Sequence, residues 1–379
     1  MGHLTAILNE GRVTDDVSGW TDSVAGEGRL WRKTEEEMKS AGMKVPLQYG
    51  LAWALSNGRR RDFLLTVRNE RARLLGSVAV QVDDSRVLPG HRYLRVSRFG
   101  EGLREEALEP LIAAMTKVSR RNSGVLRLSV GVFSRGRREQ LGAMMKQHGF
   151  MRSEQPQSYR HTLTIDLDQD EDTIFGSLHR SARRNLRHTE PAGFVVRELT
   201  EGRFASRIGD LQNEAMRRSG GAQRKVDWAA LLELSRVCPE ESRIVGLFAS
   251  NAEANAASLL GFAWGCMHGD YGVYLAAGTT RVPDQRVSVS YPLLWDLILW
   301  SKRQGASWFD LGGVTVGDAA SDPLAGISDF KRYFSRRVEE VGEEWVIEPN
   351  RRLARLASIM GRGARGFTGL LSRLSDDAS

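Results

Sequence analysis

Apolar residues along this chain change their spacing repeatedly, and the changes mark two successive successions of strands and helices. Phe63 to Val67 and Leu74 to Val82 cluster or alternate apolar positions on either side of Arg71 to Arg73. That pattern predicts two strands and a hairpin, with Pro89 and Gly90 in the next turn. Leu108, Leu111, Ile112, Met115 and Val118 recur at helical spacing within Glu105 to Ser119. A strand over Val125 to Val132, a helix over Arg137 to Gln147 closed by Gly149, and a strand over His161 to Leu167 beyond Pro156 complete the first α/β pattern. Upstream, Leu47 to Leu55 reads as helix, and residues 1 to about 30 read as a loose start that tightens near Trp31.

The second pattern has a similar order. Phe194 to Glu198 reads as a strand, Phe204 to Met216 and Trp228 to Val237 as helices, and Ile244 to Ala249 with Leu259 to Met267 as a hairpin. Tyr271 to Ala276 adds a strand, Tyr291 to Lys302 a helix, Trp308 to Gly313 a buried strand, and Val338 to Ile347 a last strand. The fold class read from this order is α/β, with domains over 1–160 and 161–335 and the chain after 351 forming a basic tail.

Composition supports a folded chain. Its 379 residues are 41% apolar and 27% charged, enough for two cores of ordinary size. No run reaches the roughly 18 apolar residues a membrane-spanning helix needs, and the start lacks an apolar secretory core, so a cytoplasmic protein is expected. Cys238 and Cys266 are too few for a disulfide framework and are expected as small core residues.

The net charge is +7, from 54 Lys and Arg against 47 Asp and Glu, and it is concentrated in blocks. One helix is expected to carry Ile174, Phe175, Leu178, Ala182 and Leu186 on one face and Arg180, Arg183, Arg184 and Arg187 on the other. No acid between Asp172 and Glu190 offsets those arginines, a pattern suited to an RNA backbone as well as to a solvated surface. The tail from Arg351 to Leu374 has six Arg and no acid among interleaved aliphatic residues. It fits a helix lying on an anionic membrane surface; the glycines 361, 363, 366 and 369 equally fit two short helices or a basic tail without fixed structure.

The stretch from Tyr291 to Phe334 holds the most distinctive chemistry. After the Gly312-Gly313 turn comes an expected flexible loop with Asp318 and Asp322, ending at Phe330 and Lys331 beside Tyr333 and Phe334. A cation held there is able to stabilise developing negative charge, although a surface lysine beside a core phenylalanine is the commoner outcome. Asp310 and Gly312 are expected to be structural. The seven His lack zinc spacing, and neither a nucleophile elbow nor a phosphate-binding loop occurs, so no metal is expected. Arg217, Gly220 and Ala222 spell a coenzyme A cradle but follow a helix-like run instead of a strand, which disfavours an acyl-CoA donor.

Four stretches resemble the FemABX family, the aminoacyl-tRNA-dependent transferases that build peptide cross-bridges in peptidoglycan precursors. They are Leu47-Gln48 through Trp53; Gln147 to Leu167; Leu178 to Gly193; and Asp310-Leu311-Gly312-Gly313 followed by Phe330-Lys331. The resemblance implies two tandem GNAT-like domains, mixed sheets flanked by helices, with a strand over 336–350 returning to the first domain. It implies an aminoacyl-tRNA donor with no separate cofactor, and a UDP- or lipid-linked peptidoglycan precursor as acceptor. It places Lys331 as the catalytic lysine, and Arg224, Trp228, Phe330, Tyr274 and Trp53 as substrate-binding. It also suits Arg180, Arg183, Arg184 and Arg187 to tRNA; the composition of the tail, separately, suggests peripheral contact with the inner face of the cell membrane, where a lipid-linked precursor resides. Leu55, Ser129 and Ala276 depart from the family's lysine, aspartate and tyrosine, which points to a different acceptor. An acyl-CoA-dependent or natural-product N-acyltransferase, and a non-enzymatic RNA- or membrane-surface-binding protein, are the competing readings.

Overall fold

A computed structural model describes residues 5–8, 11–12, 28–58, 61–218, 226–280, 288–316 and 325–360. The fold is α/β, and the chain divides into two compact units: 1–37 with 59–158 and 343–379, and 38–58 with 159–342.

The first unit is built on a sheet whose strands run in the order Gly11–Arg12, Thr5–Leu8, Phe63–Arg68, Leu74–Asp84, Arg92–Gly100, Val125–Phe133, Gly342–Ile347, Met151–Arg152. The second unit's sheet runs Val338–Glu340, His161–Asp166, Trp308–Gly313, Tyr271–Thr279, Gly261–His268, Ser242–Ala249, Phe194–Glu198. Each contains a parallel pair joined by a helical crossover. In the first, Arg92–Gly100 leads through helix Glu105–Arg121 to Val125–Phe133; in the second, Tyr271–Thr279 leads through helix Ser290–Arg303 to Trp308–Gly313. Parallel neighbours need such a crossover, because a tight turn reverses direction.

Packing follows the apolar faces. Ala107, Leu108, Leu111, Ile112, Met115 and Val118 are buried along one side of their helix, as helical spacing requires. In the second unit, Leu293, Leu294, Leu297 and Ile298 sit in one core cluster with Phe309, Leu311 and Phe334.

The structure differs from the sequence expectation at several points. Strand Arg92–Gly100 was not expected: Arg92 and Arg98 cut the Leu94–Val96 alternation to two apolar positions, and Arg98 breaks the regular backbone at φ 53°. Residues 38–58 belong to the second unit; Leu51–Ser56 packs on helix Trp228–Val237, and Pro46 bridges to His268. The single arginine helix is two, Glu171–Ser177 and Arg180–Thr189, because Leu178 and His179 are extended at ψ 151° and 147°.

The expected last strand is also two. Val338–Glu340 pairs with His161–Asp166, and Gly342–Ile347 joins the first unit's sheet. At the break, Val341 and Gly342 both donate backbone N–H bonds to the Arg160 carbonyl, at 2.9 and 3.1 Å. Asn350 caps the chain's last described helix, over residues 351–360, with its side chain accepting from Leu353 N at 3.1 Å. The rest of the tail, 361–379, lies outside the described residues.

Candidate active site

Strand Trp308–Gly313 pairs in parallel with Tyr271–Thr279 only from Tyr271 opposite Trp308 to Val273 opposite Asp310. Beyond that register both strands continue without pairing to one another, so the ladder opens after Val273 and Asp310 while Gly312 stays close to the Tyr274 carbonyl. Three consecutive features hold this opening: a buried carboxylate, a glycine turn and a lysine.

Asp310 is fully buried. A buried charge is stable only when donors replace its water, and here the donors are specific. Its Oδ1 accepts from Thr162 Oγ1 at 2.5 Å and from Gly312 N at 2.8 Å, and its Oδ2 accepts from the Tyr159 hydroxyl. The carboxylate thereby folds the backbone of Gly312 over itself. Gly312 stands at φ 77°, and a Cβ there would lie 3.2 Å from the Tyr274 carbonyl oxygen and 3.3 Å from Lys331 Nζ. Only glycine suits that conformation and that closeness together.

Lys331 is not carried on a loop end, as the sequence suggested, but near the close of helix Ala325–Arg332. Phe330, packed against Tyr291 and Phe334 with ring centroids 5.2 and 5.5 Å away, anchors one side of that helix. Its other side is clasped to the chain leaving strand Trp308–Gly313. Lys331 Nζ donates to Gly313 O at 2.7 Å, Ser328 Oγ accepts from Thr315 N at 3.1 Å, and Arg332 Nη2 donates to Thr315 O at 2.8 Å.

The lysine side chain is only 6% exposed. Burial pushes its ammonium down to about 8 from 10.5, and the Asp310 charge opposes that shift. Nζ lies 5.9 Å from the centre of the Tyr274 ring, and desolvation pushes the Tyr274 phenol above its ordinary range. The arrangement is a desolvated cation with spare N–H donors at an opening in a sheet, suited to an oxygen that gains charge.

The other sequence-derived candidates fall into separate groups. Phe330 and Tyr274 flank Lys331 as described. Trp53 stacks on Trp264 at 6.0 Å, and Trp228 meets Trp264 edge-on at 5.9 Å and donates from Nε1 to Gln212 at 3.2 Å. These indoles form one aromatic wall, in which Trp53 Nε1 is buried without a hydrogen-bond partner among the described residues. Arg224 lies outside the described residues.

On helix Arg180–Thr189 the four arginines differ in their engagement. Arg183 donates to the Gly176 carbonyl at 2.9 Å and Arg187 sits 5.2 Å over the Phe175 ring. Arg180 and Arg184 are exposed and have no polar partner among the described residues. A cavity of about 480 Å³ lies by the break before this helix, lined by Ser177, His179, Thr164, Asp166, Arg332 and Tyr333 among others. Lys331 does not line it. Sequence reasoning missed Tyr159 and Thr162. Neither carries a local signal, since each matters only through Asp310, some 150 residues away along the chain.

No family model matches this sequence, and no curated protein matches it either. Solved structures do. The chain is similar to FemX, with 14% identity and a TM-score of 0.69 over 86% of this chain and 98% of that one. It is similar to L-PGS from Bacillus licheniformis, with 13% identity and a TM-score of 0.51 over 87% and 96% of the two chains. The chain has a FemABX-like fold, with two mixed sheets flanked by helices.

Proposed function

We propose that this protein, an acyltransferase by its fold and site, moves an amino acid from aminoacyl-tRNA to an amine of a peptidoglycan precursor and forms a peptide bond. The observation that carries this reading is Lys331, a nearly buried ammonium held by Gly313 O at the opening between two parallel strands.

In the proposed reaction the acceptor amine attacks the ester carbonyl of the charged tRNA. A C–N bond forms and negative charge collects on the carbonyl oxygen. The C–O bond then breaks, its electron pair leaves with the tRNA 3′ oxygen, and the proton lost by the amine ends on that oxygen. An ammonium that titrates near 8 is protonated about ten to one at neutral pH, so it is able to donate to either oxygen. Withdrawal from water strengthens that interaction. No metal and no separate cofactor takes part in this scheme.

Within the same reading, Arg180 and Arg184 present free guanidinium groups to the RNA backbone. The wall of Trp53 and Trp228, with Arg224, contributes to acceptor binding. Charged tRNA and precursor both occur in the cytoplasm, which is where the reaction is proposed to run.

Label transfer from charged tRNA and, separately, from acyl-CoA to a soluble UDP-linked precursor tests the proposal. Transfer from tRNA is expected, with Lys331→Ala slower by about 10²-fold or more. Transfer from acyl-CoA alone would replace the donor. RNA binding without transfer from either donor would favour a non-enzymatic role, and undiminished turnover in Lys331→Ala would remove the lysine from the mechanism.

A further inference from the structure

We infer that the helix over residues 351–360 is a docking element for an anionic lipid surface. At 100° per residue this helix has three distinct sides. Ala354 and Ala357, 5% and 2% exposed, form the side packed against the protein. Leu356, Ile359 and Met360, 46%, 54% and 42% exposed, gather on a second side. Arg352 falls on that same second side, in angle between Ile359 and Leu356, and Arg351 and Arg355 border it. Met151 is also exposed, and its sulfur lies 3.4 Å from Arg351 Nη2. Three of the large exposed apolar side chains among the described residues therefore share one side of this helix, and a fourth, Met151, touches its first arginine.

Charge decides which occupant suits this face. Arg352 and Arg355 are exposed and have no ion-pair partner among the described residues. The sequence carries no acid from Pro349 to Ser375, while Arg362, Arg365 and Arg373 alternate with Phe367, Leu370, Leu371 and Leu374. Nucleic acid would use the guanidinium groups and leave the aliphatic side chains in water. A protein partner would favour an uncharged, aromatic centre over arginines set among aliphatics. An anionic membrane surface uses both, with headgroup phosphates on the arginines and aliphatic side chains at the acyl boundary. The contact is a surface one: no helix among the described residues is long and apolar enough to cross a membrane.

The test is partition of the full-length protein onto vesicles of phosphatidylcholine with and without phosphatidylglycerol. Binding is expected only with phosphatidylglycerol and is expected to weaken as salt is raised. Arg352→Glu with Arg355→Glu, and separately Leu356→Gln with Ile359→Gln, are each expected to weaken it at least about tenfold, the first by losing headgroup phosphate contacts and the second by losing apolar insertion. All four side chains are exposed, so the variants should fold; circular dichroism and transfer to a soluble acceptor are expected to match the wild type. Met360→Trp adds a direct readout, a blue-shifted emission quenched by brominated lipid. Equal binding by wild type and both variants, or no binding by wild type, overturns the inference. A dimer that only the Leu356 and Ile359 variant dissociates would assign the face to a second copy of this chain instead.

Discussion

Lys331 Nζ donates to the carbonyl of Gly313 at 2.7 Å, so the turn after the buried strand and the helix that follows it meet through one nearly buried cation. That contact predicts two opposite pH dependences. Below about 8 both folded and unfolded chains hold the lysine proton, and the cost of burying the charge is present in full. Between about 8 and 10.5 the folded chain has released a proton that the unfolded chain keeps, so stability rises with pH across that window. Urea unfolding of the wild type and of Lys331→Met, near neutral pH and near pH 10, should show the wild type gaining on the order of 3 kcal/mol relative to the variant. Turnover should do the reverse and fall as pH passes about 8, because the ammonium is lost. A gap between the two proteins that does not change with pH would mean that the lysine is well solvated.

Asp310 binds the parts of the site together, and its partners should therefore couple. Thr162→Val and Tyr159→Phe each remove a donor from a buried carboxylate, at an expected cost of about 1.5–3 kcal/mol. The double variant should depart from additivity, since both hydroxyls serve one charge. Asp310→Asn removes the charge that holds the Lys331 ammonium up, so the alkaline limb of turnover should move to lower pH. An unmoved limb, in a variant that still folds, would show that Asp310 acts only as a scaffold.

The contrast between Asp310 and Lys331 indicates how much the sequence discloses. The order of elements was legible because the core helices and strands carry regular apolar spacing, as in Leu108 to Val118 and Leu293 to Ile298. Strand Arg92–Gly100 was hidden because Arg92 and Arg98 stand where apolar residues would have extended the Leu94–Val96 alternation, and the irregular backbone at Arg98 puts Phe99 out of step with it. Lys331 and the glycine pair stood out through a resemblance to a known family. The helix under the lysine did not, because three polar clasps to Gly313 and Thr315 and the ring of Tyr291, all from outside its own sequence, hold its eight residues. The partition of the arginine face was equally hidden, since Arg183 and Arg187 are tied down by Gly176 and Phe175 only after the chain breaks at Leu178.

Gly342 should tolerate no side chain. A Cβ there would stand 1.9 Å from the Tyr159 carbonyl oxygen and 3.0 Å from its carbon, and backbone atoms cannot turn aside as a side chain does. Gly342→Ala is expected to cost at least about 4 kcal/mol or to prevent folding. Gly305 makes the control, because it stands at φ 78° with nothing within 4 Å of its added Cβ. Gly305→Ala should cost only about 1 kcal/mol, the strain of the backbone alone. Equal unfolding midpoints for the two variants would contradict the described passage of the chain past Tyr159.

Helix Arg180–Thr189 offers a graded test of RNA binding. Arg180 and Arg184 have no partner to give up, whereas Arg183 would release the Gly176 carbonyl and Arg187 its place over Phe175. Each phosphate contact removed should lower the slope of log K against log salt by about 0.7 to 1. Arg180→Gln with Arg184→Gln should therefore flatten the salt dependence of tRNA binding by roughly 1.5 to 2. Arg183→Gln with Arg187→Gln should flatten it less and lower thermal stability more, since those side chains hold the chain around the break at Leu178 and His179. Fluorescence anisotropy of labelled tRNA over a range of salt concentrations reads the first effect, and thermal melting reads the second. If both pairs flatten the slope equally, local engagement does not limit these arginines. If neither does, the basic face is not an RNA-binding surface and the donor must dock elsewhere.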